Sequence, residues 1–115
     1  MKVSIDFLPE FARNLKRYGK KYKSLAADYV SFLESLQSNP FQGDDLGNGV
    51  RKVRMAVSSK GKGKSGGMRV ITYCINVITD EEINITLLTI YDKSEIQNIS
   101  DAYLKWLVNE LNKRK

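Results

Sequence analysis

Histidine is absent from the 115 residues, cysteine occurs once, and no apolar run approaches the length of a membrane-crossing helix. Each absence removes a class of function. Without histidine, a zinc site or a Cys–His nucleophile pair lacks its usual ligands or base. Cys74 stands alone in an apolar, strand-like stretch, so no internal disulfide can form and a small buried residue is its ordinary reading. The N-terminus, Met-Lys-Val-Ser-Ile-Asp, has an acid where a secretory signal needs apolar residues, so a cytoplasmic location with no membrane association is expected. Asn84-Ile85-Thr86 and Asn98-Ile99-Ser100 match the glycosylation pattern, but on that expectation they never meet the enzyme. Acidic residues are missing from the whole stretch between Leu46 and Thr79.

That acid-free stretch holds Arg51, Lys52, Arg54, Lys60, Lys62, Lys64 and Arg69, and a second basic cluster (Arg13, Lys16, Arg17, Lys20, Lys21, Lys23) lies near the N-terminus. A solvated surface usually mixes signs, so two one-sign clusters on a chain of net charge +6 point to a polyanion, nucleic acid first, with solubility or an acidic protein as the plainer readings. A hydrophobic fraction of 42% marks a chain that folds, and the length suits one domain spanning residues 1–115.

Periodicity orders the elements. Val3 to Phe7 reads as a short strand, and Pro9 sits at a plausible first helical position. Phe7, Phe11, Leu15, Tyr18 and Tyr22 form the stripe of a first helix, with most of the basic cluster outside it. A second helix begins near Ser24, a good N-cap, turns Leu25, Tyr29, Phe32, Leu33 and Leu36 inward, and stops at Asn39-Pro40. Residues 41–49 read as a loop. Strands follow at Val50 to Val57, Met68 to Thr79 and Ile83 to Tyr91, the last two joined by a turn at 79–82, and Ser100-Asp101 caps a final amphipathic helix. The expected fold is α+β: an N-terminal strand and helical hairpin packed on a small, largely antiparallel sheet, with a C-terminal helix and the helices on one side.

The segment "SSKGKGKSGGMRVITY", residues 58–73, carries the question of chemistry. Gly63-Lys64-Ser65 resembles the end of a phosphate-binding P-loop, but Ser58 stands where that motif needs glycine, and the loop leads into a strand rather than a helix. A nucleotide site of that kind is therefore not expected. Strand alternation instead puts Lys52 with Arg54 on one face, and Tyr91 with Lys93 on one side of the last strand. Arginines converging there would neutralise a phosphodiester through planar forked donors. With histidine absent, proton transfer falls to lysine or tyrosine, and crowded positive neighbours make a lysine amine a usable base or acid. RNA brings its own nucleophile, the 2′-OH, so such a site needs no protein nucleophile, no metal and no cofactor. The plainer reading of Tyr91 and Lys93 is a strand-end tyrosine and a solvated lysine.

"VRKVRM", "GKGKSGGMRVITY" and "LLTIYDKSE", in that order after a basic helical hairpin, resemble the RelE/HigB toxins of bacterial toxin–antitoxin systems. The resemblance runs from about Phe7 to the final helix, and its middle motif is the most specific. It implies the RelE-like fold and a ribosome-dependent mRNA interferase that cuts the codon in the A site by 2′-OH attack. By the same resemblance Lys52, Arg54, Arg69, Tyr91 and Lys93 are the catalytic positions. Arg54 and Arg69 would hold the phosphate, Lys52 or Lys93 would serve as base or acid, and Tyr91 would stack on a base or transfer a proton. Lys60, Lys62, Lys64, Arg13, Lys16, Arg17, Lys20 and Lys21 would grip ribosomal RNA.

The best-known branch has lysine where Arg54 stands; arginine is too basic to accept a proton, so Arg54 is electrostatic only and the identity of the base stays open. The resemblance also implies a cognate antitoxin, often with a helix-turn-helix domain, and contact with operator DNA only through the toxin–antitoxin complex. ParE-type relatives share the scaffold but inhibit DNA gyrase by binding, so that activity is the alternative.

Overall fold

The computed structural model describes residues 2–61, 63, 66–74, 77–79 (backbone only) and 81–114. The elements are β1 (Lys2–Phe7), α1 (Pro9–Lys21), α2 (Leu25–Ser38), β2 (Asp44–Gly47), β3 (Val50–Met55), a 3₁₀ turn (Ser58–Lys60), β4 (Met68–Tyr73), β5 (Val77–Thr79), β6 (Glu82–Asp92) and α3 (Asp101–Lys113). Among the described residues no helix is long and apolar enough to cross a membrane.

The helices start where the sequence placed them. Pro9 opens α1, where its missing N–H costs nothing, and Phe11 and Tyr18 are its buried residues. Ser24 precedes α2, but its hydroxyl bonds Asp28 Oδ2 (2.6 Å) and Ser59 instead of capping the helix. Ser100 caps α3 conventionally, its Oγ accepting the Tyr103 N–H at 3.1 Å.

The strand order is β1-β6-β4-β3-β2, with β5 also on β6. The sheet is antiparallel except for β1, which pairs with β6 in parallel from Lys2↔Glu82 to Phe7↔Leu87. The expected loop at 41–49 contains β2, which forms a hairpin with β3. Its two turn residues, Asn48 (φ 54°) and Gly49 (φ 82°), are both left-handed, as a two-residue hairpin turn requires. The Asn-Gly pair in the sequence carried that signal.

Helices cover both faces of the sheet, not one. Phe11, Tyr18, Leu25, Phe32 and Leu36 of the hairpin pack on Val53, Met55, Met68, Val70 and Ile90. Leu107 and Leu111 of α3 pack instead with Val50, Ile71, Leu88 and Tyr91. The register puts these two sets of strand residues on opposite faces. A bulge adds to the second face: Ile71 pairs with Thr89 but Thr72 pairs with Leu87, so Leu88 is an extra residue and turns to the α3 side.

Gly67 is where β4 enters the sheet, and a Cβ there would lie 2.1 Å from the Met55 carbonyl oxygen. Gly19, in α1, has nothing within 4 Å of such a Cβ. Gly67→Ala is therefore expected to lose about 1–3 kcal/mol in urea unfolding, whereas Gly19→Ala gains up to about 1 kcal/mol. Equal midpoints for Gly67→Ala and wild type would refute the close approach.

Candidate functional site

Across β3, β4 and β6 the register aligns Arg54↔Arg69↔Tyr91, and one step along it aligns Lys52↔Ile71↔Thr89. Direct neighbours across a sheet share a face about 4.8 Å apart. Four of the five expected catalytic residues (Lys52, Arg54, Arg69 and Tyr91) therefore lie on one face, the face that α3 only partly covers. Arg54 is exposed and Lys52 half-buried, and neither makes an ion pair among the described residues. They border a depression of about 400 Å³ with Gln42, Gly43 and Asp44.

Arg69 is only 4% exposed and donates from Nη1 to the Met68 carbonyl at 3.2 Å. Arg54 lies directly opposite it in the register, which sets two arginines side by side on this face. Tyr91 is 3% exposed and packs in the α3 cluster. Burial pushes its phenol up and the Arg69 guanidinium pulls it down; the net shift is upward, so it is neutral near pH 7. Its enclosed ring has no open face for stacking on a base. It borders a groove of about 360 Å³ between α1 and residues 96–100.

Lys93, the fifth residue, lies one position past the end of β6, exposed in a turn and without an ion pair among the described residues. Between it and Tyr91 stands Asp92, 0% exposed and facing the opposite side of the sheet. Its carboxylate accepts from Lys60 Nζ, from the Tyr22 hydroxyl, and from the Ser94 N–H (2.9 Å) and Oγ (2.7 Å). Its own N–H donates to the Tyr18 hydroxyl at 3.3 Å. Burial alone would raise this carboxyl; the hydrogen bonds from Lys60, Tyr22 and Ser94 outweigh it and hold it well below the usual carboxylate range.

Lys60 departs from expectation. Its side chain is 9% exposed, ion-paired with Asp92 and set over the Tyr22 ring, where the sequence predicts an open lysine of a basic loop. The two residues before it are tied as well. Ser58 donates to Asp28 from its N–H (3.0 Å) and Oγ (2.8 Å), and the Ser59 N–H donates to Ser24 Oγ (2.9 Å). Lys62 and Lys64 lie outside the described residues.

On α1, Arg13 pairs with Glu10, while Arg17 (3.9 Å) and Lys21 (3.4 Å) approach Glu95. Lys16 and Lys20 are exposed with no ion pair among the described residues. Sequence reading missed Asp92, Tyr22 and Ser94. The available signal was alternation: if Tyr91 and Lys93 face outward, Asp92 faces inward, and a buried carboxylate demands partners.

The family model described as "RelE toxin of RelE / RelB toxin-antitoxin system" matches residues 11–114. Among solved structures, a double arginine-to-alanine mutant of E. coli toxin RelE in the free state aligns with a TM-score of 0.52 at 14% sequence identity. The alignment covers 99% of this chain and 98% of that one, a likeness of fold. The match and the fold together define a toxin of a toxin–antitoxin system. The chain belongs to the RelE toxin family. Toxins of this family are known endoribonucleases, and membership implies a cognate antitoxin as partner.

Because the carboxyl of Asp92 is depressed in the folded state, it stabilises the fold above about pH 4, the ordinary unfolded value. That stability is lost as pH falls from there toward the folded value. Unfolding free energy is expected to drop steeply on acidification below about pH 4–5, and Asp92→Asn to be less stable at pH 7 with a flatter acid limb. Parallel acid limbs in denaturant melts would show that Asp92 does not carry the dependence.

Proposed function

We propose that this toxin, acting as one domain over residues 1–115 in the cytoplasm, is a ribosome-dependent mRNA interferase that cuts codons in the A site. The observation that carries this reading is the row Arg54–Arg69–Tyr91, two guanidiniums beside a neutral phenol on a partly uncovered sheet face. An anion is what such a row favours, and a phosphodiester fits the forked donors.

In the reaction the RNA 2′-OH loses its proton to a base, and its oxygen attacks the adjacent phosphorus. The bond to the 5′-oxygen breaks, leaving a 2′,3′-cyclic phosphate, and the departing oxygen takes up a proton. Arg54 and Arg69 offset the charge that develops on the phosphate oxygens. Tyr91, neutral and beside Arg69, is suited to donate the proton to the leaving oxygen. Lys52 and Lys93 are the amines available as base. These groups need no metal to act.

Lys16 and Lys20, with Arg13, Arg17 and Lys21 in their weaker surface pairs, supply a cationic flank for ribosomal RNA. The antitoxin would neutralise the toxin, and operator DNA would be met only through their complex.

Brief induction in a bacterial host, with mapping of mRNA 5′ ends, tests the reading. Wild type is expected to cut within translated frames, and Arg69→Ala to lower cleavage by about 10²–10³-fold. Growth arrest with intact mRNA would overturn it and favour a binding toxin of the gyrase-inhibiting kind.

A further inference from the structure

The catalytic positions Tyr91 and Lys93 flank a residue that touches no substrate. Asp92 closes a turn around Lys93: its Oδ1 accepts the Ser94 N–H (2.9 Å), and its carbonyl accepts the N–H groups of Glu95 and Ile96 (3.0 Å each). A carboxylate bonding the N–H two residues on is a side-chain-built turn, and the middle residue's backbone is fixed by it. Here that middle residue is Lys93.

The same carboxylate reaches the segment that leads toward Arg69. Lys60 ends the 3₁₀ turn, and Met68, the neighbour of Arg69, pairs in register with Asp92. Ser58 and Ser59 bind Asp28 and Ser24 in the same stretch, so three consecutive residues tie the start of the glycine-lysine loop to the helical hairpin or to β6. A surface loop root needs no buried ion pair for stability, since apolar replacements of such pairs are often at least as stable. Geometry is what the pair adds.

We propose that Asp92 and Lys60 form a positioning pair for the toxin's site, with Asp92 fixing Lys93 and Tyr91 and Lys60 holding Asp92 in place rather than binding RNA. This rests on the ribonuclease reading above for the reaction it serves. Lys93, exposed at the end of a strand and with no ion pair among the described residues, would otherwise sample many backbone and side-chain states. An amine that must meet a proton within hydrogen-bond reach loses rate when its backbone drifts by an ångström.

The test uses full-length protein, programmed ribosomes for cleavage, and amide hydrogen exchange by NMR at a temperature where every variant is folded. Asp92→Asn keeps an acceptor but loses the charge. Lys60→Met removes the cation at similar length, and Lys60→Arg restores it. Asp92→Asn and Lys60→Met are each expected to lower kcat about tenfold or more with KM little changed, as for a lost transition-state contact. Lys60→Arg is expected to recover most of the rate, and the Asp92→Asn/Lys60→Met double variant to be no worse than the poorer single one.

Exchange at Ser94, Glu95 and Ile96 should speed up about tenfold in Asp92→Asn, while α3 amides stay protected. Full cleavage by folded Asp92→Asn, or unchanged exchange at those three amides, would overturn the proposal. So would equal losses in Lys60→Arg and Lys60→Met. Wild type that cuts nothing sinks the ribonuclease reading instead, and the exchange measurement then decides by itself whether Asp92 fixes Lys93.

Discussion

A carboxylate with no solvent exposure must be paired or neutralised, and Asp92 is paired on every side. That requirement determines the orientation of the end of β6. With Asp92 turned to the hairpin, where Tyr18, Tyr22 and Lys60 meet it, alternation turns Tyr91 to the opposite face. The register then brings Tyr91 beside Arg69, and Arg69 beside Arg54. Slip β6 by one residue and the carboxylate would leave Lys60 and Tyr22 and turn to the face of Arg69 and Arg54, where it would neutralise the site's own cations. The ion pair thus specifies which face carries the cations more than it adds to stability.

The rest of the site face is divided by α3. Its Leu107 and Leu111 need an apolar floor and find it in Val50, Ile71 and Leu88. Lys52 and Arg54 lie toward the part left uncovered, beside the depression at Gly43 and Asp44. One helix therefore does two things: it encloses Tyr91, which pushes the phenol further from ionisation, and it stops short of the β3 cations. The basic residues of α1 are a different case. Arg13, Arg17 and Lys21 each have an acid near, so their contribution is a diffuse field screened by salt rather than a built pocket.

Much of this was legible in the residues. The stripes Phe11–Leu15–Tyr18–Tyr22 and Leu25–Phe32–Leu36 placed the hairpin, because helical periodicity is a local property. Alternation put Lys52 and Arg54 on one face, and the cross-strand register then set Arg69 and Tyr91 beside them. What escaped was non-local. The parallel partner of β1 lies about eighty residues away, as Lys2↔Glu82 shows, and no pattern within either strand names it. The extra residue at Leu88 adds an apolar side chain to the α3 face, and a bulge has no signature in the largely apolar run Leu87-Leu88-Thr89-Ile90. The pairing of Lys60 is hidden for the same reason. By composition it belongs with the lysines of its loop, and only the tertiary fold reveals the acid beneath it.

A scaffold that worked only by presenting a surface to another protein would have no use for Arg54 opposite Arg69. Neither guanidinium supplies apolar packing to the core clusters. Tyr91 could be phenylalanine if its role were only to fill the α3 cluster. The fold already demands the apolar floor, the bulge and the inward carboxylate, so it cannot account for two arginines and a phenol in one row. On the proposed reading such a row is useful when an anion lying on it gains charge during a reaction, because fixed cations then favour the transition state over the ground state. The phosphodiester of RNA attacked by its own 2′-oxygen is an anion of that kind.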